Sequence, residues 1–239
     1  MEKFDFSLIL PCYNEEEIFN DSVEKIIKVL DGTDYTWEII FIDDKSKDKT
    51  TSLINKALKK YSRKNLSAYF HQKNQGRGAT VKEGFSKAQG KIVGFLDIDL
   101  EVGEWYIPKF IQTIEKGSDM AIAGRVYDLN LSGLVRWVGS KGYVVLRKLV
   151  LGLPYEDTEA GYKFFRKKRC LGIFKKSANK TWFWDTEIMA LAYQSKLKVA
   201  EIPVAFVRRR DKTSTVKLIP DTLRYLSDLI KYRFLEIRN

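Results

Sequence analysis

The chain is short of the residues that staple small proteins or hold soft metals. Its 239 residues include two cysteines, Cys12 and Cys170, and a single histidine, His71. Two cysteines without metal-site spacing are too few for a disulfide framework and fit a reducing compartment, so both read as small packing residues. His71 stands at a strand end without a metal-spaced partner and attracts no catalytic expectation. There are five prolines, and no Pro/Gly/Ser-rich tract that reads as a linker. One domain, 1–218, with a C-terminal appendage, 219–239, is therefore expected, without internal repeats. No apolar run approaches the ~20 residues that span a bilayer. A strand begins almost at once, at Phe6–Leu10, which leaves no room for a signal peptide. A cytoplasmic location is expected.

Positive charge, by contrast, is abundant. The net charge of +11 and pI near 9.4 call for an anionic partner: nucleic acid, an anionic membrane or a phosphorylated small molecule. Lysines scattered over solvated helix faces account for much of the excess. The run Arg166-Lys167-Lys168-Arg169 reads as such a face, with attraction to anionic lipid second. No aromatic-and-basic nucleic-acid motif accompanies the charge.

The first half alternates strand and helix. Strands are expected at Ser7–Leu10, Trp37–Ile42, Leu66–Phe70 and Ile92–Leu96, with helices from Glu15 to Leu30, Asp48 to Leu58 and Ala79 to Ala88. A further helix at Pro108–Lys116 and a strand at Met120–Ala123 follow. Helices between consecutive strands imply an α/β fold with a mostly parallel sheet. The second half is less regular: a helix over Trp137–Leu151, a strand at Tyr162–Phe165, a helix at Asp185–Gln194 and a Pro203-containing edge strand at Val199–Val207. From Ile219 to Phe234 the apolar residues Leu223, Leu226, Leu229, Ile230 and Phe234 form one helical face, with Arg224, Lys231 and Arg233 elsewhere. Such a basic amphipathic helix lies on a membrane or packs on its own domain.

The chemistry gathers at strand ends. The strand at Ile92–Leu96 delivers Asp97 and Asp99 into the next turn. Hard cations take oxygen ligands, often only one or two protein carboxylates plus substrate phosphates. The carboxyl end of a strand is also where open α/β sheets bind ligands. A plain polar turn is the alternative. Strand one ends in Pro11-Cys-Tyr13-Asn-Glu15, where Tyr13 can stack on a base and Glu15 can accept from a base or ribose. Strand two ends in Asp43-Asp44; Asp44 can accept a ring N–H, while Asp48 reads as a helix N-cap. After strand three, Lys73-Asn-Gln-Gly76-Arg-Gly78 is a glycine-bearing turn, but Val81 stands where a dinucleotide fingerprint has its third glycine. It reads instead as a tight turn bringing backbone and Lys73 towards a phosphate or ribose.

In this order, these segments resemble family-2 glycosyltransferases of the GT-A fold. The second half is similar to polyprenyl-phosphate sugar synthases. Asp157-Thr-Glu-Ala-Gly161-Tyr-Lys163 resembles their Asp-x-x-x-Gly-aromatic-basic segment, and Trp184-Asp185-Thr-Glu187 their (F/W)-D-x-E helix start. Glu201-Ile-Pro203-Val, then Arg209-Arg210-Asp-Lys212-Thr-Ser214, resembles their Glu-(I/V)-Pro-Val segment and Arg/Ser/Lys loop.

The resemblance implies a sugar-nucleotide donor (GDP-mannose or UDP-glucose), Mg²⁺ or Mn²⁺, and a dolichyl or other polyprenyl phosphate acceptor, met peripherally at the cytoplasmic face of a membrane. It assigns Pro11, Tyr13, Glu15, Asp44, Lys73 and Asp97 to the nucleotide, and Asp97 and Asp99 to the metal. Glu101 would stand near the metal where dolichyl-phosphate mannose synthases commonly carry Gln. Arg125, Arg136, Arg209 or Arg210, Lys212 and Ser214 match positions for the acceptor and diphosphate. Asp99, Asp157 and Asp185 are the expected catalytic carboxylates, although Asp157 can also cap a turn, and Asp185 and Glu187 a helix. A phosphate monoester with a second pKa near ~6 is already mostly a dianion at pH 7, so it needs cations to hold it in line more than a base. Two other functions are weighed against this one: a family-2 enzyme with a saccharide hydroxyl acceptor, which needs a carboxylate base, and a nucleotide- or nucleic-acid-binding module without chemistry.

Overall fold

The computed structural model describes residues 2–62, 65–126, 147–209 and 218–237. Within them, β1 (Phe4–Cys12), α1 (Phe19–Asp31), β2 (Trp37–Asp43), α2 (Thr50–Lys60), β3 (Leu66–Phe70), α3 (Arg77–Lys87) and β4 (Gly90–Leu96) alternate as the hydrophobic periodicity predicts. A short 3₁₀ turn leads into α4 (Ile107–Glu115) and β5 (Met120–Val126). Then come β6 (Tyr162–Arg166), α5 (Lys167–Lys176), α6 (Trp184–Gln194), β7 (Val199–Ala205) and α7 (Leu218–Ile237). Of the helix expected over Trp137–Leu151, only 147–151 lies within the described residues, and that part is helical.

The seven strands form one sheet in the order β3-β2-β1-β4-β6-β5-β7. β1, β2, β3 and β4 are parallel, β6 runs antiparallel to β4 and β5, and β7 is parallel to β5. β7 takes the edge, where its Pro203 removes no ladder donor the sheet needs. β2 is buried along its whole length, Trp37 to Asp43, and its buried Glu38 accepts from the Ser7 hydroxyl at 2.6 Å. Apolar side chains fill both faces of the sheet. One layer joins Phe6, Phe41, Phe110 and Phe164; the other joins Ile9, Phe85, Phe95 and Trp184. Because chain order runs outward from β1 to β2 on one side and β4 on the other, a crevice opens outside their carboxyl ends.

One expectation changes. The basic run Arg166–Arg169 passes from the end of β6 into helix α5, and only part of it is a solvated face. Arg166 donates to the Ile114 and Ser118 carbonyls, Lys167 to the Ala88 carbonyl, and Arg169 to Asp119 at 3.1 Å. Helix α7 packs on the domain through Leu229, fully buried among Leu151, Leu153, Phe183 and Ala190. Asn179 donates to Asp228 at 3.2 Å, and Tyr225 bonds Thr186. The opposite side of α7 leaves Ile230 and Phe234 exposed. Among the described residues, no helix is long and apolar enough to cross a membrane.

Candidate active site

The turns after β1, β2, β3 and β4 all carry positive backbone angles. Asn14, Lys45 and Leu100 have φ of 57°, 64° and 55°, and Gly76 has 91°. A bulky leucine in this region is uncommon, and such outliers cluster where a turn is held for a purpose. Here Leu100 lies between Asp99 and Glu101.

Asp97 and Asp99 leave β4 at the crevice, both half-buried. The Asp97 amide donates to the Gly161 carbonyl at 2.9 Å, which ties the turn to the start of β6. Arg77, at the first position of α3, donates through Nη1 to Asp97 and through Nε to Asp185 at 2.8 Å. Its guanidinium lies between the rings of Phe95 and Trp182, 5.4 Å from each. Its Nη2 is buried without a partner. Asp185, only 2% exposed, also accepts from Lys163 at 2.6 Å. Lys163 is fully buried and donates to the Ala160 carbonyl at 2.5 Å. Burial pushes the Lys163 ammonium below its usual pKa, against the pull of Asp185. Two cations and two carboxylates thus form one chain from Asp97 to Lys163.

The glycines that flank this chain are sites of close approach. A Cβ on Gly161 would stand 1.8 Å from Asp97 Oδ2 and 2.5 Å from Arg77 Nη2. One on Gly78 would stand 2.5 Å from Trp184, and one on Gly76 2.3 Å from the Lys180 carbonyl. The Gly78 amide donates to that carbonyl at 3.0 Å. The Gly76–Gly78 turn therefore seats α3 against the start of α6, with the Gly78 amide engaged there.

Asp44 lies beneath the same turn. Its carboxylate accepts from the Gln75 and Gly76 amides at 2.7 and 2.8 Å and pairs with His71 Nδ1 at 2.6 Å. His71 Nε2 meets Glu83 at 2.9 Å. Both Asp44 oxygens are thus engaged by the protein, whereas Pro11, Tyr13 and Glu15 line the crevice partly exposed, and Lys73 is exposed. Asp43 anchors the next turn by accepting from Ser46 and Thr51, and Asp48 accepts the Thr50 amide at the mouth of α2 at 2.9 Å. Glu187 accepts the Ala178 and Asn179 amides at 3.0 and 2.9 Å, holding the loop before α6.

On the other side of the crevice, Arg125 grips Asp157 from two nitrogens, at 2.6 and 3.0 Å. Burial raises the Asp157 pKa, but the Arg125 charge and hydrogen bonds outweigh it, so the carboxyl titrates below its usual range. Glu201 on β7 accepts the Asp157 amide at 2.8 Å, and buried Arg147 donates to Thr158 at 2.6 Å, fixing this loop from both flanks. Glu101 Oε1 accepts the Arg209 amide at 3.2 Å. Burial, then the neighbouring Asp99 charge, raise its pKa. Arg209 Nη1 reaches the Asp99 carbonyl at 3.5 Å. Arg136, Arg210, Lys212 and Ser214 lie outside the described residues.

The structure thus brings Asp97, Asp99, Glu101, Asp157, Asp185, Arg125 and Arg209 to one crevice. Among the described residues no three carboxylate, His or Cys side chains converge on a point. Asp97 and Asp99 alone suit a hard cation whose remaining ligands are substrate phosphates and water. The sequence reading missed Arg77, and the role of Lys163. Their signal was a charged residue between two glycines and another inside an apolar strand, where an unpaired charge is not tolerated.

Comparison with known proteins bears on the family and the fold. The dolichyl-phosphate beta-glucosyltransferase of Saccharomyces cerevisiae is 27% identical over 97% of this chain and 75% of its own length. Dolichyl-phosphate beta-glucosyltransferase ALG5D of Trichomonas vaginalis is 28% identical over 83% of this chain, and the match spans 64% of that relative. Glucosyl-3-phosphoglycerate synthase of Mycobacterium tuberculosis, solved with Mn²⁺, UDP-glucose and phosphoglyceric acid, superposes with a TM-score of 0.70 at 15% identity, covering 97% of this chain and 80% of that one. At that identity the likeness concerns the fold. The model of glycosyl transferase family 2 matches residues 7–174, and the chain belongs to that family.

Proposed function

We propose that this protein transfers a hexose from a sugar nucleotide to a polyprenyl phosphate of the dolichyl type, with inversion. The observation that carries the reading is the state of the two carboxylates on the acceptor side. Asp157 is held by the Arg125 fork, and Asp185 by Arg77 and Lys163. Arg125 holds the Asp157 carboxyl below its usual range, and such a carboxylate is a weak base, which suits an acceptor that arrives already ionised. A sugar hydroxyl would need a freer base.

UDP-glucose is favoured over GDP-mannose as donor, because several relatives are named glucosyltransferases and several structural neighbours were solved with UDP or UDP-glucose. Pro11, Tyr13 and Glu15 receive the nucleoside, with Asp44 shaping the floor and Lys73 at the rim. Asp97 and Asp99 would hold Mg²⁺ or Mn²⁺, which supplies charge neutralisation for the departing diphosphate. Arg125 and Arg209 orient the acceptor phosphate, whose planar guanidinium partners fit its oxygens. Residues 1–218 act as the catalytic domain, and 219–239 rest on the anionic cytoplasmic face of a membrane through the exposed side of α7. No nucleic-acid partner is invoked.

The test is incubation with radiolabelled UDP-glucose or GDP-mannose, Mg²⁺ or Mn²⁺ and a short polyprenyl phosphate, followed by organic extraction. Label from UDP-glucose in the organic phase is expected. Label transferred only to water-soluble sugars would reject the lipid acceptor.

A further inference from the structure

The carboxyl ends of β5 and β7 carry an apolar groove that the chemistry above leaves unused. It encloses about 260 Å³ and is lined by Val126, Pro203, Val204, Ala205, Phe206 and Val207. Val126 pairs with Ala205 across the ladder, alternation along β7 sends Pro203 and Ala205 to the same face, and Val207 follows just past the strand. Val126 and Val207 are 60% and 62% exposed, an unusual amount of branched aliphatic surface to leave in water beside an ionic site.

Its position says what fills it. Arg125 directly precedes Val126 and lies over the Phe206 ring at 5.5 Å while gripping Asp157. The Val207 amide donates to the Glu101 carbonyl at 2.8 Å, and Arg208 and Arg209 follow it. The groove therefore meets Arg125 at Phe206, which it shares as lining, ends two residues before Arg209, and has no charged residue in its lining. We infer that this groove seats the first isoprene units of the acceptor, with the phosphate at Arg125 and Arg209 and the hydrocarbon along Val126, Ala205 and Val207. This inference rests on the polyprenyl-phosphate reading and adds the tract that distinguishes a prenyl phosphate from a small phosphorylated acid.

The experiment compares dimethylallyl phosphate with farnesyl phosphate as acceptors, both without vesicles, for the full chain and for the Val126→Asn/Val207→Asn double variant. Burying even two or three extra methylenes' worth of hydrocarbon corresponds to about tenfold or more in affinity. The farnesyl compound should have a KM at least about tenfold lower with the native chain, and the ratio should fall towards unity in the variant. A farnesyl phosphate carrying a terminal-unit diazirine should label the peptides around Val126 and Val207 in the native protein, a readout that does not require the variant to fold. A native preference for farnesyl phosphate that the double variant retains, with label elsewhere, overturns the groove and spares the proposed function. Transfer to neither prenyl phosphate overturns both.

Discussion

Arg77 links Asp97 to Asp185, so the first carboxylate of the Asp97–Asp99 pair and the carboxylate at the start of α6 are set by one guanidinium. The two acids are 88 residues apart in the chain and come from different strand–helix connections. Breaking a buried ion pair by removing one partner typically costs 3–5 kcal/mol, because the other charge stays buried. Arg77→Ala should therefore cost about 3 kcal/mol in chemical denaturation. Arg77→Lys should restore little of it, since a point charge cannot serve two carboxylates as a fork does. Native-like stability in Arg77→Ala would show that Asp97 and Asp185 are held by other contacts.

Gly161 belongs to the same relationship. With a Cβ 1.8 Å from Asp97 Oδ2, Gly161→Ala has to push the Asp97 side chain aside. Gly161 is not at a positive φ, so the effect is on the site and not on the backbone. Mn²⁺-dependent binding of UDP, followed by calorimetry, should weaken at least tenfold, whereas UDP binding in EDTA should change less. Equal losses with and without metal would mean that the alanine disturbs the fold instead.

Much of this was legible in the sequence, for reasons that differ by element. β1 to β4 and the helices between them were readable because each buries a face with a clear period. Asp97, Asp99 and Asp157 were readable because the turn after a strand is where side chains escape the core. Arg77 and Lys163 were not, because their meaning lies in partners brought together by folding. His71 was set aside for the same reason; its two carboxylate neighbours, Asp44 and Glu83, come from other segments. Helix α5 was hidden behind its charges: a basic run looks solvated until its stems are seen reaching carbonyls of α4 and β4's approach.

Asp157 gives a pH signature. Its folded-state pKa is depressed by Arg125, so its contribution to stability is present above the unfolded value, about 3.9, and is lost as pH falls through the folded one. Asp157→Asn removes that contribution. The melting temperature of the variant should lie below that of the native chain at pH 7, and the two curves should converge as pH is lowered beneath about 4. A gap that stays constant from pH 7 to pH 3 would assign the stabilisation to the hydrogen bonds of Arg125 alone.

Asp99 separates the metal from the architecture. It is half-buried at the crevice, and its Oδ1 accepts the Glu101 amide at 3.2 Å, within its own turn. Asp99→Asn keeps that acceptor and removes the charge. Mn²⁺ affinity measured by calorimetry in the presence of UDP should fall by at least tenfold, with the melting temperature of the metal-free protein unchanged or raised, since Asp99 and Glu101 repel one another. Undiminished Mn²⁺ affinity would move the cation elsewhere.

The two sides of α7 make opposite predictions. Leu229 is fully buried, so deleting the helix would expose its seat on Leu151, Leu153 and Phe183 and confuse membrane binding with unfolding. Ile230 and Phe234 offer a cleaner test: they are 52% and 65% exposed, one helical turn apart, and exposed Lys231 and Arg233 accompany them. An apolar ridge flanked by cations is the arrangement that lies in an anionic interface. Ile230→Ser/Phe234→Ser should shift folding stability by no more than about 0.5 kcal/mol per site, as surface changes usually do. It should nevertheless reduce co-sedimentation with phosphatidylserine-containing vesicles at least severalfold, while leaving binding to neutral vesicles as weak as before. If the double variant sediments with anionic vesicles as well as the native chain does, the attraction comes from the diffuse charge of +11 and not from α7.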